Sequence, residues 1–292
     1  MNKKIYDDLT IVFLLYEEKL SLIINCLENI KDFKIIIVDN AGNKRIKKQI
    51  EKRFNIHKYI LNKKNLGCAV GFNQLINLSE TEYLLFCQVD CKIFPKDIFL
   101  LMEKYMFYQD CFLVSPSYCD KDKKIIENGG ILPENKSSDG IIQLEGDMCV
   151  EKIITAVFLS KRKDLINIGR FDEKFFLYFL DYDLCRKISK KKKSIIQIFD
   201  IKIEHNHGIS KVRNLIKKTF LRTFNFTFDE LYYFYKINQH QEIYYNLEKK
   251  VYNYVIKFFI CTLLLKVEKS TFYFSKILAY YKFKYFLKSK LK

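Results

Sequence analysis

The sequence lacks the cysteine patterns of a disulfide-stabilised or zinc-binding protein. Its nine cysteines are scattered singly without a C-x-x-C pair, and the closest two, Cys87 and Cys91, have no second pair of ligands nearby. We recognise no signal peptide. An odd, unpatterned set of cysteines fits a reducing compartment better than a disulfide framework or a zinc site. The sequence therefore predicts a cytoplasmic protein.

A long apolar run is also missing. The longest candidate, "FFICTLLL" at residues 258–265, has lysines on both sides. It falls far short of the roughly 20 residues that a helix needs to cross a bilayer. We therefore expect no membrane-spanning segment.

Acidic residues are scarce relative to basic ones, and the imbalance is uneven. The net charge is +17, and the stretch from Lys211 to the end holds 17 Lys and Arg against 5 Asp and Glu. Tyrosines and phenylalanines are interleaved with these charges. The pattern indicates an anionic partner, either nucleic acid or a membrane surface, or else a basic face that is simply solvated.

The N-terminal half alternates between apolar strands and helices. With 292 residues and 49% apolar content, the chain can bury a sizeable core. Continuous apolar runs predict buried strands at Leu9–Tyr16, Phe33–Gly42 and Glu82–Asp90. Helical spacing separates them, as in Lys19–Ile30. This rhythm predicts an α/β fold with a mostly parallel sheet flanked by helices, followed by a helical extension from residue 211.

Two of the predicted strands end in an acid. Asp39 and Asp90 each close an apolar run, and ligands of open α/β sheets bind beyond the carboxyl ends of strands. Either acid alone could be a turn former. Asp90, with Gln88 two residues before it, could instead hold a divalent cation at the phosphates of a nucleotide.

A glycine-containing stretch, "NKKNLGCAVGFNQLI", occupies residues 62–76. Its glycines could be loop and packing residues, or they could form a tight turn whose amides face a phosphorylated ligand. The spacing matches neither a Walker loop nor a G-x-G-x-x-G fingerprint.

The aromatic segment "FFLYFLDYDLCRK" at residues 175–187 contains Asp181 and Asp183. Helical spacing predicts a helix that begins near Asp181, with Asp183 and Lys187 as an exposed pair worth a few tenths of a kcal/mol. Asp181 would then be either an N-cap or a general base whose pKa the surrounding rings raise.

A second polar cluster, "IEHNHGIS" at residues 203–210, contains two histidines. These histidines could be structural, or they could supply one metal ligand and one phosphate contact.

Taken in order, these segments resemble the inverting family 2 glycosyltransferases of the GT-A fold, especially the rhamnosyltransferase-like branch. The resemblance covers roughly residues 8–210. The matching segments are Val38-Asp39-Asn40-Ala41-Gly42, Asn65-Leu66-Gly67-Cys68-Ala69-Val70-Gly71-Phe72-Asn73, Gln88-Val89-Asp90, Phe171-Asp172-Glu173 through Arg186, and His205 to Ser210. Leu180 stands where the family pattern has Glu, and Q-V-D replaces the D-x-D-like strand end.

The resemblance implies a role for each candidate residue. Asp181 would be the base that deprotonates the acceptor hydroxyl, and Asp183 would contact the acceptor or support the base. Asp90 would hold Mg²⁺ or Mn²⁺ at the diphosphate, with His205 as a further ligand. Asp39 would contact the nucleotide base. The nucleotide-sugar site as a whole would comprise Asp39, Asn40, Asn65, Gly67, Asn73 and Gln88.

The same resemblance implies the partners and the domain division. The donor would be a dTDP-, UDP- or GDP-linked hexose, and the acceptor a glycan or a lipid-linked glycan. Residues 1–210 would form the GT-A domain, and residues 211–292 a basic extension lying peripherally on the inner face of the plasma membrane. Nucleic acid is not expected as a partner. The alternatives are a non-catalytic nucleic-acid-binding protein, a nucleotidyltransferase and an inactive transferase.

Overall fold

Strands and helices alternate through residues 2–135 and 144–205 of the computed structural model, which also describes residues 214–290. The strands are β1 (Leu9–Leu15), β2 (Lys34–Asp39), β3 (Lys58–Leu61), β4 (Tyr83–Cys87), β5 (Cys91–Lys92), β6 (Cys111–Cys119), β7 (Ile125–Glu127), β8 (Met148–Cys149), β9 (Val157–Lys161) and β10 (Ser194–His205). The helices are α1 (Asn2–Asp8), α2 (Leu20–Glu28), α3 (Lys44–Arg53), α4 (Cys68–Leu78), α5 (Pro95–Phe107), α6 (Arg162–Asn167), α7 (Leu180–Lys190), α8 (Leu215–Lys236), α9 (His240–Leu263) and α10 (Val267–Lys290).

The strands form one sheet in the order β3-β2-β1-β4-β9-β6-β10-β5, with β7 paired to β6 and β8 to β10. The first four strands of this order run parallel, and β6 and β10 are also parallel. Strand β9 is inserted antiparallel between β4 and β6. The expected α/β fold with a mostly parallel sheet is therefore confirmed.

The centre of the sheet is buried on both faces. Strand β1 is buried along nearly its whole length, and all five residues of β4 are buried. Parallel strands covered by helices on both sides have no solvent face, which is why these segments read as continuous apolar runs. The strand predictions at residues 9–16, 33–42 and 82–90 are confirmed to within three residues at each end.

The described residues cluster into two units. The first comprises Met1–Asp172 and Asp181–Lys211, and the second comprises Glu173–Leu180 and Val212–Lys292. The division after residue 210 stays a prediction, because residues 206–213 lie outside the described part of the chain. The second unit also includes a segment, residues 173–180, that the sequence assigned to the first.

The second unit is built from α8, α9 and α10, as the helical pattern after residue 211 predicts. Aromatic rings fill the space between these helices: Tyr244 stacks on Tyr280 with ring centroids 5.4 Å apart, and Phe283 is fully buried. Within the ranges that the structure describes, no helix combines the length and the apolar character needed to cross a membrane.

A buried carboxylate holds the segment at residues 173–180. Asp229 of α8 accepts hydrogen bonds from the backbone N–H groups of Phe176, Leu177 and Tyr178, at 2.9–3.2 Å. The Asp229 side chain is fully buried, and this burial raises its pKa to about 6 although the three N–H groups act in the opposite direction. The aromatic segment that leads into α7 is therefore fixed by its backbone as well as by its rings.

Candidate active site

Three acids meet at the carboxyl ends of neighbouring strands. Strand β1 lies between β2 and β4, so Glu18 after β1, Asp39 at the end of β2 and Asp90 after β4 reach the same edge of the sheet. Burial raises the pKa of Glu18 to about 7, and the nearby carboxylates of Asp39 and Asp90 add to this increase. The sheet topology thus concentrates acidic side chains where open α/β sheets bind ligands.

Asp39 is held firmly at the end of β2. Its carboxylate accepts hydrogen bonds from the backbone N–H groups of Ala41 at 2.7 Å and Asn43 at 3.2 Å. Burial raises its pKa, while the N–H groups oppose that shift. The neighbouring Asn40 donates to the carbonyl of Gly67 at 3.0 Å and accepts from Asn62 at 2.8 Å. The turn after β2 is therefore joined to the turn before α4.

The glycines of the 62–76 stretch have distinct physical roles. Gly67 precedes α4 with φ of 87°, a left-handed conformation that favours glycine. The Asn65 side chain accepts a hydrogen bond from the Gly67 N–H at 2.9 Å and fixes this turn. Gly71 packs so tightly that an added Cβ would lie 2.4 Å from the Leu14 side chain. These contacts place the N-terminus of α4 close to the end of β1.

Asn73 faces a different part of the structure. Its buried side-chain amide donates to the carbonyl of Phe171 at 2.9 Å and accepts from the N–H of the same residue at 3.0 Å. The rings of Phe72 and Phe171 also lie 5.1 Å apart. Asn73 therefore ties α4 to the chain just before the aromatic segment, and its proposed part in nucleotide-sugar binding stays a prediction.

Asp90 and His205 come together from positions far apart in the sequence. His205 ends β10 opposite Cys91 of β5, and its Nε2 lies 3.6 Å from Oδ1 of Asp90. The ligand atoms of Asp90, Cys91 and His205 lie within 4.8 Å of one another, a spacing that could hold a metal ion. Asn206 to Ser210, the remainder of this motif, lie outside the described residues.

The donor set of this cluster suits a hard or borderline cation. A carboxylate and an imidazole are ligands that Mn²⁺ accepts, and carboxylates plus phosphate oxygens suit Mg²⁺. Burial raises the pKa of the Cys91 thiol well above its usual range, and Asp90 reinforces the shift. Without a cation, Cys91 is therefore a neutral thiol. Gln88 is exposed, and its backbone N–H donates to the carbonyl of Ala156.

Asp181 lies in the first turn of α7, which begins one residue earlier at Leu180. Its carboxylate accepts a hydrogen bond from the N–H of the adjacent Tyr182 at 3.0 Å, which is not the geometry of an N-cap. Burial raises its pKa to about 6, and the charge of Lys152 opposes this shift. Asp181 is therefore a carboxylate at neutral pH that takes up a proton more readily than a solvated aspartate does.

One expectation about the neighbouring acid is wrong. The predicted pair forms, with Asp183 Oδ2 3.2 Å from Nζ of Lys187, but it is not exposed. Asp183 retains only 5% of its accessible surface. The helix turns Asp183 inward, and Lys187 also donates to the carbonyl of Arg170 at 2.9 Å. The pair is part of the packed structure rather than a solvated surface contact.

Sequence reasoning missed four residues near these groups. Glu127 of β7 has Oε2 4.0 Å from Nδ1 of His205, and its charge also raises the pKa of Asp181. Lys152 donates to the Tyr182 hydroxyl at 3.2 Å. Glu18 and Cys91 complete the set. Long-range strand pairing brings Glu127, Lys152 and Cys91 to the site, which local patterns do not reveal. Glu18 follows the first apolar run, so the signal that marked Asp39 and Asp90 could have found it.

Residues 10–165 match the family model "Glycosyl transferase family 2". The chain belongs to glycosyl transferase family 2. The matched range covers β1 to β9 and includes Asp39, Asn65, Gly67 and Asp90. The family expected from the sequence is therefore confirmed. A sequence comparison with curated proteins gave no match.

Solved structures support the GT-A fold of this family 2 glycosyltransferase. The structure of GalNAc-T7 with UDP, GalNAc and Mn²⁺ aligns with a TM-score of 0.55 and 10% identity, covering 68% of this chain and 42% of that one. S. aureus TarS aligns with a TM-score of 0.51 and 12% identity, covering 74% of this chain and 39% of that one. The third structure is the mannosyltransferase PcManGT from Pyrobaculum calidifontis in complex with GDP-Man and Mn²⁺. It aligns with a TM-score of 0.50 and 14% identity, covering 94% of this chain and 86% of that one.

This family 2 chain thus spans about two fifths of the length of GalNAc-T7 and TarS, but most of the length of the mannosyltransferase. At these identities the alignments establish the fold alone.

Proposed function

We propose that the protein transfers a hexose from a nucleotide-diphosphate donor to a hydroxyl of a glycan or lipid-linked acceptor, with inversion at the anomeric carbon. The observation that carries this proposal is the meeting of Asp90 and His205 beside Glu127, which is also within electrostatic reach of Asp181. A cation-binding pair and a carboxylate with a raised pKa are the two elements that such a transfer needs.

The proposed reaction assigns one step to each group of residues. The acceptor oxygen attacks the anomeric carbon while the bond from that carbon to the diphosphate oxygen breaks. Asp181 takes the proton of the acceptor hydroxyl, and the nucleoside diphosphate leaves from the opposite face. Asp39 and Asn40 would orient the nucleotide base, with Asn65, Gly67 and Gln88 shaping the rest of the donor site. Asp183 would support the acceptor side.

Asp90 and His205 are the residues proposed to hold Mg²⁺ or Mn²⁺. When bound, the cation would neutralise the charge that develops on the departing diphosphate. Asp90 is the only carboxylate in the Q-V-D strand end, so the diphosphate itself would complete the ligand set. The Mn²⁺ present in the GalNAc-T7 and PcManGT structures supports this assignment.

The proposal also covers the branch of the family and the location of the protein. The segment from Phe171 to Arg186 favours the rhamnosyltransferase-like branch, and the donor would be a dTDP-, UDP- or GDP-linked hexose. The basic second unit favours a cytoplasmic protein that contacts the anionic inner face of the plasma membrane. Both points are parts of the proposal.

A thermal-shift panel with UDP, dTDP, GDP and CDP, each with and without Mn²⁺, tests the proposal. Ligands that bind the native state raise the melting temperature by mass action. We expect one nucleotide to raise it selectively and Mn²⁺ to enlarge the shift. Asp90→Asn should remove the effect of Mn²⁺ on the melting temperature. The matched control Asp181→Asn should retain that effect but lose sugar transfer. A shift with oligonucleotides but with no nucleoside diphosphate would favour the nucleic-acid-binding alternative instead.

A further inference from the structure

The second unit carries exposed apolar side chains at the turn between α9 and α10. Leu263 and Leu265 are each 83% exposed, although isolated soluble proteins rarely show large contiguous apolar patches. We call this cluster the apolar tip. Its members are Phe259, Ile260, Leu263, Leu264, Leu265 and Val267.

The start of α8 extends this surface. The Thr219 hydroxyl donates to Oε1 of Glu268 at 3.3 Å, so the first turns of α8 lie at the same end of the helical unit as the apolar tip. The exposed Leu215 and Ile216 stand in the first turn of α8. The apolar surface is therefore contributed by all three helices of the unit.

The backbone at the tip adopts a tight helix-ending turn. Lys266 donates its N–H to the carbonyl of Cys261 at 2.8 Å, and Leu265 donates to Thr262 at 3.1 Å, the bonds of a Schellman motif. Leu265 occupies its left-handed position with φ of 55°, where glycine or asparagine is usual. A leucine there carries a conformational cost, and its exposed side chain gains little packing to offset it.

Charge identifies the kind of partner. Along residues 257–269, which contain the apolar tip, the exposed charges are Lys257, Lys266 and Lys269 against Glu268 alone. The α9–α10 hairpin as a whole carries ten lysines and three glutamates. A second copy of this chain would bring like charges together at such a contact. An anionic bilayer accepts both the apolar side chains and the lysines.

We propose that the apolar tip docks the protein onto an anionic lipid bilayer, with the leucines in the acyl boundary and the lysines at the headgroups. The proposal deepens the membrane contact included in the proposed function, and it rests on different residues from the transferase chemistry. Since no described helix could span a bilayer, the tip would lie at the interface.

Co-sedimentation of the full chain with phosphatidylcholine vesicles, with and without phosphatidylglycerol, tests this inference. Leu263→Gln with Leu265→Asn removes apolar surface without changing charge, and asparagine suits the left-handed position. We expect these changes to weaken binding about tenfold or more, because each buried methylene favours the membrane. The control pair Met106→Gln and Phe107→Gln removes comparable exposed surface from the first unit and should leave binding unchanged.

Three readouts separate the outcomes. The melting temperature of the Leu263→Gln, Leu265→Asn variant should equal or exceed that of the wild type. Weaker vesicle binding would then not result from unfolding. Equal vesicle binding by wild type and this variant, or no binding of wild type to anionic vesicles, overturns the inference. A wild-type dimer that this variant converts to monomer, without vesicle binding, would also overturn it and assign the tip to a second copy. The nucleotide thermal shift should be the same in all variants, so failure of the transferase proposal would be seen separately.

Discussion

At the scale of single residues, burial changes the chemistry of the acids. Burial raises the pKa of Glu18 to about 7 and that of Asp181 and Asp229 to about 6. A carboxyl whose pKa is higher in the folded state binds its proton more tightly there than in the unfolded chain. Each of these groups therefore contributes less to stability as the pH rises from about 4 to about 7.

The raised pKa of Asp181 predicts the pH dependence of transfer. A general base must be deprotonated, so the rate should rise with pH through about 6 and level off above it. Asp181→Asn should lower kcat by about 10²–10⁴-fold and retain the nucleotide thermal shift. A pH–rate profile checks this. A rate that stays constant well below pH 6, or a fully active Asp181→Asn variant, would contradict the assignment.

The sequence identified the acids at strand and helix ends but not their surroundings. Asp39, Asp90, Asp181 and His205 follow from apolar runs that end in polar residues. The inward position of Asp183 was missed, because helical spacing alone does not tell which face of a helix is covered. Partners such as Glu127 reach the site only through β-sheet pairing between distant segments.

At the scale of elements, the longer buried strands were readable from the sequence, whereas the shortest strands and the order of strands in the sheet were not. Strands β1, β2 and β4 are buried on both faces and read as apolar runs. Strands β7 and β8 have three and two residues, too few to show any period. The insertion of β9 between β4 and β6 depends on long-range pairing that local patterns do not encode.

The turn after β2 provides a prediction at this scale. Gly42 has φ of 63°, and an added Cβ would lie 2.6 Å from the backbone oxygen of Asn62. Gly42→Ala should therefore lower the free energy of unfolding by about 1–3 kcal/mol and weaken nucleotide binding, because Asp39 and Asn40 shape this turn.

Gly169 offers a matched control for this change. It also has a positive φ, of 85°, but an added Cβ would meet open space. Gly169→Ala should cost only about 1 kcal/mol, the conformational part alone. Urea unfolding of both variants measures the difference. Equal losses of stability would show that the contact with Asn62 does not constrain the turn.

At the scale of the whole molecule, the chain crosses between its two units more than once. The segment at residues 173–180 belongs to the second unit, whereas the residues on either side of it belong to the first. The hydrogen bonds from this segment to Asp229 explain the assignment. A domain boundary placed at residue 210 from composition alone does not reveal this crossing. The crossing depends on contacts between residues about fifty positions apart in the sequence.

Truncation at residue 210 tests the importance of this crossing. The shortened chain would lack Asp229, so the N–H groups of Phe176, Leu177 and Tyr178 would lose their acceptor. We expect chymotrypsin to cleave the truncated chain rapidly within residues 175–179, at sites protected in the full chain. The full chain carrying Asp229→Ala, with Glu230→Ala as its control, should show the same exposure. Equal protection in all chains would contradict a role for Asp229 as the anchor.

The Asp229 anchor also has a consequence for biosynthesis. Asp229 follows Phe176 by 53 residues, and a ribosome adds roughly 5–20 residues per second, so the anchor is made roughly 3–10 s after the segment it holds. Throughout that interval the nascent chain carries five closely spaced aromatic or leucine side chains, at residues 175–179, without their carboxylate partner. The segment leading to Asp181 is thus exposed to chaperones and proteases until α8 has left the exit tunnel.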